Sequence, residues 1–401
     1  MLMRMMQQLS GDIMNDVKAF IQKQCDEIRH TVNNEKALIA VSGGVDSTTC
    51  AMLTHKAMGN NLQCIFIDTG FMRLNEPKRV ESFFNGLNLP FKIIDAQQKF
   101  LEAIKGIEDA EEKRKRFRMI FYKTLGETAK NTGCKFLIQG TIAPDWIETK
   151  GGIKTQHNVL DQIGINPKVQ FGFNLIEPLA YLYKDQVRDV ARELKIKTDF
   201  SERQPFPGPG LLVRVVGKVT KEKLDIEKRA TTVVEENFTG DQYFAAIIDD
   251  EVEKNNKIPR TVAKFFDKEK ISIDVKVSKN NVTGVKGDLR AYKKLALLTV
   301  KSDSNLFKPP IKKLVELQVD IISNNHDFTR VAYNVTETPR NGKYIILLRS
   351  VTTRDFMSTG VTEIPWNVLI KTANKIMEDN KEVSAVYYDV TPKPPATVEY
   401  E

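Results

Sequence analysis

The sequence is poor in cysteine, histidine, glycine and proline. Its 401 residues include four cysteines and four histidines, together with 22 glycines and 16 prolines. The cysteines lie far apart, and neither a CxxC nor an HExxH pattern occurs, so a zinc or disulfide framework has no support. Reduced, buried thiols are expected instead. The low glycine and proline contents exclude a collagen-like chain and a disordered one.

Long hydrophobic runs are also absent. No apolar run approaches the roughly 18–20 residues that a membrane-spanning helix needs. The longest compact run, Ala37–Val41, has the length of a strand. The opening residues, Met1–Met6, lack the apolar core and cleavage site of a signal peptide. We therefore expect a cytoplasmic protein without a membrane partner.

The charge balance is moderately positive. There are 60 Lys and Arg residues against 52 Asp and Glu residues, a formal net charge of +8. This excess favours an anionic partner, and composition leaves three explanations open: a nucleic acid, a small phosphate-bearing substrate, or charge for solubility. The mixed charge run at 111–118 favours a solvated helix face with i, i+4 pairs. We expect no nucleic-acid partner.

The order of predicted elements indicates the fold class of the first half. At ~150 residues per domain the length suggests two or three domains. Short β-rich runs alternate with helical stretches, which is typical of an α/β fold with a doubly wound parallel sheet. The predicted strands are 37–41, 63–68, 91–95, 135–139 and 175–178, and the predicted helices are 47–58, 77–85, 109–131 and 184–194. Loops after these strands should converge on one ligand crevice.

A break rich in proline and glycine, Pro205–Gly210, marks the best domain boundary. We predict a first domain at 1–205, with an N-terminal helix within 1–35. Beyond the break the alternation of strand and helix stops. We predict an α+β domain at 206–401.

The second half contains an internal repeat. Strand, helix and strand occur twice, in units at about 283–339 and 340–401. The predicted helices of the two units are 311–324 and 366–380. Two such units side by side would pack as a pseudo-twofold. A homodimer and a monomer with an internal pseudo-dimer therefore both stay open.

The strongest chemical signal is Ser42-Gly43-Gly44-Val45-Asp46-Ser47, between a predicted strand and a predicted helix. The glycines permit close backbone approach to an anion, and the helix N-terminus presents free N–H groups. Asp46 is suited to hold a Mg²⁺ ion that bridges phosphate oxygens. The segment is not a Walker loop, because the GxxxxGK[ST] pattern is missing here. It predicts phosphate binding.

This segment resembles the pyrophosphatase loop of the N-type ATP pyrophosphatases, which cleave ATP between the α and β phosphates to adenylate an oxygen. Five further segments resemble the GMP synthetases within that family. They are 66–76, 139–148, 206–211, 355–357 and the ending KPPATVEYE at 393–401. The resemblance covers about residues 20–220, 283–300 and 344–401. It implies an adenine nucleotide alpha-hydrolase-like domain followed by the C-terminal domain of that family.

The resemblance also implies a reaction. ATP adenylates the C2 oxygen of xanthosine 5′-monophosphate (XMP), and ammonia then displaces AMP to form GMP. ATP and Mg²⁺ are the implied cofactors. Many members of the family carry a glutaminase domain, and this sequence shows no suitable cysteine nucleophile. We therefore expect ammonia to be free or to come from a separate glutaminase subunit.

Site residues are carried over by position. The implied catalytic residues are Asp46, Asp145, Glu148, Lys154 and His157. The implied ATP-binding residues are Ser42, Gly43, Gly44, Val45, Asp46, Ser47 and Gly140, with Asp46 as the Mg²⁺ ligand. The implied XMP-binding residues are Arg73, Phe206, Pro207, Gly208, Pro209, Gly210, Arg290, Lys393, Thr397 and Glu399. Two positions depart from the family pattern: Gln156 replaces the first of two lid histidines, and Leu289 replaces a glycine.

Two alternative functions share some of these features. Another N-type ATP pyrophosphatase is the first, but tRNA thiolases usually need catalytic cysteines and NAD synthetases lack the KPPATxE ending. A non-catalytic nucleic-acid-binding protein is the second, and it predicts steeply salt-dependent RNA affinity without ATP turnover. AMP release that depends on XMP distinguishes both from a GMP synthetase.

Overall fold

The computed structural model describes residues 16–145, 168–169, 172–196, 204, 206–266, 271–286, 289–353, 359–397 and 399–401. These residues form two compact units. The first unit takes its described residues from 1–70, 75–103 and 116–205, and the second takes them from 71–74, 104–115 and 206–401. Among the described helices, none is long and apolar enough to cross a membrane.

The first unit is built on a five-stranded sheet. Its strands are β1 (Lys36–Ala40), β2 (Leu62–Asp68), β3 (Phe91–Asp95), β4 (Cys134–Ile138) and β5 (Asn174–Ile176). Their order is β3-β2-β1-β4-β5, and all neighbours are parallel. The chain moves outward from β1 to β3 and then returns to the other side of β1, which is the doubly wound pattern. The predicted fold class and the five predicted strands are confirmed.

Helices connect these strands. They are α1 (Val17–Val32), α2 (Val45–Met58), α3 (Glu76–Gly86), α4 (Gln97–Ile104), α5 (Ala110–Thr132) and α6 (Lys184–Glu193). Helix α1 begins where the Asp16 carboxylate accepts a hydrogen bond from the Ala19 amide at 3.0 Å, a typical N-cap. The four helices predicted in this region are confirmed.

The second unit is built on a larger, mixed sheet. Its strands are β6 (Gln242–Asp249), β7 (Val252–Lys254), β8 (Ile271–Ser278), β9 (Val282–Lys286), β10 (Leu289–Ser302), β11 (Asn305–Leu306), β12 (Phe328–Asn334), β13 (Tyr344–Thr353), β14 (Thr359–Val361) and β15 (Val383–Asp389). The main order is β14-β13-β15-β12-β10-β8-β7, with β6 paired to β13 and β9 and β11 paired to β10. Its helices are α7 (Lys221–Asn237), α8 (Ile258–Phe266), α9 (Ile311–Asn324) and α10 (Trp366–Asp379).

The predicted repeat is present at the centre of this sheet. The first repeat is β10-α9-β12 and the second is β13-α10-β15, and in each the two strands pair in parallel. Strands β12 and β15 pair antiparallel, with Tyr333 opposite Tyr388. These two tyrosines occupy equivalent positions in the repeats, so a local pseudo-twofold axis passes between them. The duplicated β-α-β unit is confirmed.

One expectation about the charge run at 111–118 was wrong. Lys113 does not lie on a solvated face, because it is buried and forms an ion pair with Glu401. It also donates to the carbonyl of Val215 at 3.2 Å. Burial lowers the pKa of Lys113, although the neighbouring Glu401 opposes this effect. A long apolar stem lets a lysine reach such a partner, and charge counting along a helix does not reveal the partner.

Candidate functional site

The loop after β1 is closed by its own hydroxyl groups. Gly43 has a φ of 76°, a left-handed conformation that favours glycine. The Ser47 hydroxyl accepts from the Ser42 amide and donates to the Gly44 carbonyl, each at 3.2 Å. Helix α2 begins at Val45, one residue after Gly44. The loop therefore leads directly into a helix N-terminus, the arrangement that binds phosphate groups.

Gly140 lies against this loop. A Cβ atom at position 140 would be 3.1 Å from the Asp46 carbonyl oxygen and 3.1 Å from the Ser47 Cα atom. Only a residue without a side chain permits so close an approach. Strands β1 and β4 are neighbours at the point where the strand order reverses, and ligands bind at such switch points in doubly wound sheets. The predicted ATP-binding residues 42–47 and 140 are thus brought together.

Asp46 is the acidic group of the loop. Its Oδ2 atom lies 3.1 Å from the Nζ atom of Lys184, which starts helix α6. Its Oδ1 atom is buried and has no hydrogen-bond partner within the described part of the chain. Proteins commonly bind Mg²⁺ through one or two carboxylates together with substrate phosphates. The Asp46 carboxylate fits that role, because it has an oxygen still available.

Lys184 was not predicted as a site residue. The available signal was its position at the start of a helix that follows a strand of the parallel sheet, where ligand-contacting loops converge. Its ammonium group places a positive charge beside the phosphate-type loop.

The remaining predicted catalytic residues are only partly described. Asp145 follows β4, and its Oδ2 atom accepts a hydrogen bond from the Ile142 amide at 3.0 Å. This bond holds the first turn after the strand. Glu148, Lys154 and His157 lie outside the described residues, as does Gln156.

In the second unit Arg73 packs on Phe206. The Cζ atom of Arg73 lies 4.1 Å from the centre of the Phe206 ring, and its Nε atom donates to Glu235 at 2.7 Å. The Phe206 ring is therefore covered by a cation on one side. Sequence reasoning identified Arg73 and Phe206 for XMP binding, and the structure brings the two together.

Gly210 ends the predicted XMP-binding segment 206–210 in a restricted conformation. Its φ is 64°, and a Cβ atom there would lie 2.2 Å from the Phe71 carbonyl oxygen. The same oxygen accepts from the Leu211 amide at 2.7 Å. The segment is thus joined to residues 71–74 by direct backbone contact, which explains why a glycine stands at its end.

Arg214 is a buried cation that sequence reasoning missed. Its Cζ atom lies 5.2 Å from the centre of the Phe206 ring and 4.0 Å from that of Phe244. Burial lowers the pKa of Arg214 to about 10, with nearby Glu227 opposing the effect. Burial likewise raises the pKa of Glu227. The available signal was one arginine within the apolar run Leu211–Val216.

The C-terminal segment brings three further predicted residues into polar contacts. The Lys393 amide and carbonyl exchange two backbone hydrogen bonds with Thr359, each 3.0 Å. The Glu399 carboxylate lies 2.9 Å from Arg114 and 3.7 Å from Arg290. Arg290 also lies 3.3 Å from Glu111. The predicted XMP-binding residues Arg290 and Glu399 are therefore neighbours.

Two family models and many curated proteins match this chain. Residues 16–203 match the PP-loop domain model, and residues 335–400 match the GMP synthase C terminal domain model. A subunit of the glutamine-hydrolyzing GMP synthase from Sulfurisphaera tokodaii is 44% identical over 96% of this chain and 99% of its own length. The corresponding protein from Saccharolobus solfataricus is 43% identical, over 97% of this chain and 100% of its own length.

A solved structure also matches. NH3-dependent NAD synthetase from Campylobacter jejuni is 21% identical, with a TM-score of 0.37, over 46% of this chain and 76% of its own. The nearly full-length relatives are all described as the same subunit of GMP synthase, and they do not favour a different N-type ATP pyrophosphatase. The chain belongs to the family of these GMP synthase subunits.

Proposed function

We propose that this chain adenylates XMP with ATP and then aminates it to GMP. The C2 oxygen of XMP attacks the α-phosphorus of ATP, and pyrophosphate leaves. Ammonia then attacks C2, and AMP leaves with the former C2 oxygen. The observation that carries the proposal is the likeness to GMP synthase chains over nearly the whole length. The phosphate-type loop at the switch point supports it.

The roles in the first unit follow from geometry. Residues 42–47 and Gly140 bind the departing pyrophosphate through backbone N–H groups and hydroxyls. Lys184 offers a positive charge beside Asp46. Mg²⁺, when held by Asp46, supplies positive charge to the phosphate oxygens. Asp145, Glu148, Lys154 and His157 complete the proposed catalytic set.

The roles in the second unit concern XMP. We assign the purine to the Phe206–Gly210 segment, where Arg73 and Phe206 stack. Arg290, Lys393, Thr397 and Glu399 meet the ribose and phosphate. Two arginines close to Glu399 leave the local charge positive, which suits a phosphate monoester.

Ammonia is proposed to come from a separate glutaminase, since the relatives are described as one subunit of a glutamine-hydrolyzing enzyme. A cytoplasmic location fits the four buried free thiols. Within one chain, β12 pairs with β15 as two copies of a symmetric dimer would. This supports a monomer. Sedimentation at the mass of one chain is expected, and sedimentation at twice that mass would favour the homodimer.

The activity is tested by AMP release from ATP with and without XMP. Wild type should release AMP only with XMP present, and it should form GMP with ammonium but not with glutamine. Asp46→Ala should lower the rate at least about 100-fold. Asp185→Ala is the matched control, since Asp185 is 88% exposed and contacts only the surface Arg188 at 3.7 Å in the described structure. AMP release without XMP would contradict the proposal.

A further inference from the structure

The two repeats of the second unit share one hydrogen-bonding pattern. The Thr336 hydroxyl accepts from the Val386 amide at 2.6 Å and donates to the Val386 carbonyl at 3.1 Å. The Thr391 hydroxyl accepts from the Val331 amide at 2.8 Å and donates to the Val331 carbonyl at 3.2 Å. Each repeat thus places a threonine against the other repeat's strand. The pseudo-twofold extends to individual side-chain contacts.

Charge breaks this symmetry. Asn334 and Asp389 end the equivalent strands, and the Oδ1 atom of each accepts from the amide two residues later, at 2.8 Å and 3.0 Å. The second side-chain atom differs. Asn334 Nδ2 returns to the Thr336 carbonyl at 3.2 Å, so the group is satisfied locally. Asp389 Oδ2 instead accepts three hydrogen bonds from distant residues.

Those three donors are Arg330 and Arg349, each at 2.8 Å, and Tyr400 at 2.6 Å. All four residues are completely buried. Arg330 lies on β12 of the first repeat, and the equivalent position on β15 is Ala385. The first repeat therefore supplies a cation to the second, and the second supplies none in return.

Arg330 also holds the C-terminal segment. Its Nη2 atom donates to the Thr397 carbonyl at 3.0 Å and to the Thr397 hydroxyl at 2.9 Å, and it further donates to the Glu399 carbonyl. Its Cζ atom lies 4.1 Å from the centre of the Tyr400 ring. One guanidinium group thus fixes the backbone on either side of Glu399. A planar donor with five N–H groups can do this, and an ammonium group cannot.

We propose that Arg330 is a positioning residue for XMP: the first repeat is not a second binding site but a support that holds the segment 397–399 of the second repeat in place. The inference rests on the proposed function, because it takes Thr397 and Glu399 to contact XMP. It goes beyond that function by giving the duplicated unit a task.

The test compares Arg330→Met with wild type in two measurements. The first is steady-state kinetics, in which KM for XMP should rise about tenfold or more because charge-assisted hydrogen bonds to the segment are lost. The value of kcat at saturating XMP and KM for ATP should change far less. The second is hydrogen exchange at the Tyr400 and Glu401 amides, which donate to the Val213 carbonyl at 3.0 Å and 3.1 Å. Exchange there should accelerate.

The pseudo-twofold offers a matched control. Asn334→Ala removes the buried polar group equivalent to Asp389 on the repeat that holds no such segment. It should lower the urea midpoint and leave KM for XMP and the exchange of both amides unchanged. If Arg330→Met does not fold, Arg330→Lys serves in its place, because it keeps the charge beside Asp389 and loses the forked contacts.

The two proposals fail in different ways. A wild type without XMP-dependent AMP release refutes the proposed function, and the exchange measurement still tests whether Arg330 holds the segment. An active wild type with an Arg330 variant that is folded, unchanged in KM for XMP and unchanged in exchange overturns the positioning role. An equal rise in KM for Asn334→Ala also overturns it, since the effect would then reflect general loss of stability.

Discussion

The Asp46 carboxylate and the Lys184 ammonium group lie 3.1 Å apart in the first unit. Asp46 belongs to the loop after β1, and Lys184 begins the helix after β5. Lys184 is about half exposed and Asp46 about a quarter, so this pair adds little to stability. Its importance lies in placing one acid and one base beside a phosphate-binding loop.

Replacement of Lys184 should weaken ATP binding. Lys184→Met keeps the side-chain length and removes the charge, and we expect KM for ATP to rise about tenfold while KM for XMP stays near wild type. Steady-state AMP release gives both constants. Lys18→Met is the control, since Lys18 is 79% exposed and lies 3.8 Å from Glu193. Equal effects of the two substitutions would contradict a role for Lys184 at the loop.

A methyl group at position 140 should disturb the phosphate loop. Gly140→Ala places a Cβ atom 3.1 Å from backbone atoms of Asp46 and Ser47, so the loop must shift. We expect KM for ATP to rise at least about tenfold, as small displacements at reacting groups cost much activity. Gly86→Ala is the matched control, because no atom lies within 4 Å of the added methyl. An unchanged KM for ATP in Gly140→Ala would count against Gly140 as part of the site.

Arg73→Lys should separate stacking from charge. Lysine keeps the positive charge but loses the planar group 4.1 Å from the centre of the Phe206 ring and the Nε bond to Glu235. Loss of about 1–2 kcal/mol of cation–π interaction corresponds to a roughly tenfold rise in KM for XMP. Arg79→Lys, at an exposed position on α3, is the control. Wild-type kinetics for Arg73→Lys would show that charge alone suffices.

Asp389 should make stability depend on acidity. Burial alone would raise its pKa, but Arg349, Arg330 and Tyr400 outweigh burial and lower it below the ordinary value of 3.8. The folded state therefore binds fewer protons than the unfolded state near that value. The stabilisation is complete above pH 3.8 and is lost as the pH falls through the lower folded-state pKa.

Asp389→Asn should therefore lower the free energy of unfolding by about 3 kcal/mol at neutral pH, because two buried guanidinium groups lose their counter-charge. The difference from wild type should shrink as the pH falls below 3.8. Urea unfolding followed by circular dichroism across this range measures it. A difference that stays constant with pH would show that the carboxylate is not ionised in the folded protein.

The first unit was largely predictable because its signals are local. The loop at 42–47 is six consecutive residues between a strand and a helix, and strand lengths follow from short apolar runs. The helices of the repeat were also predictable, since Pro310 and Pro365 each precede a helix at the expected place.

Contacts between distant positions were not predictable. Lys184 reaches Asp46 across 138 residues, and Arg330 reaches Thr397 across 67. Lys113 was expected at the surface because its neighbours in sequence are charged, yet its partner Glu401 is 288 positions away. Single-sequence patterns indicate which face of an element is apolar, and they do not indicate which polar group inside the fold pairs with a charge.

The most direct test of the proposed reaction follows one oxygen atom. XMP labelled with ¹⁸O at C2 is incubated with this protein, ATP, Mg²⁺ and ammonium, and the products are analysed by mass spectrometry. If the C2 oxygen attacks the α-phosphorus, the label must appear in the phosphate of AMP, with none in pyrophosphate. Label released into water or into pyrophosphate, with unlabelled AMP, would contradict adenylation of XMP.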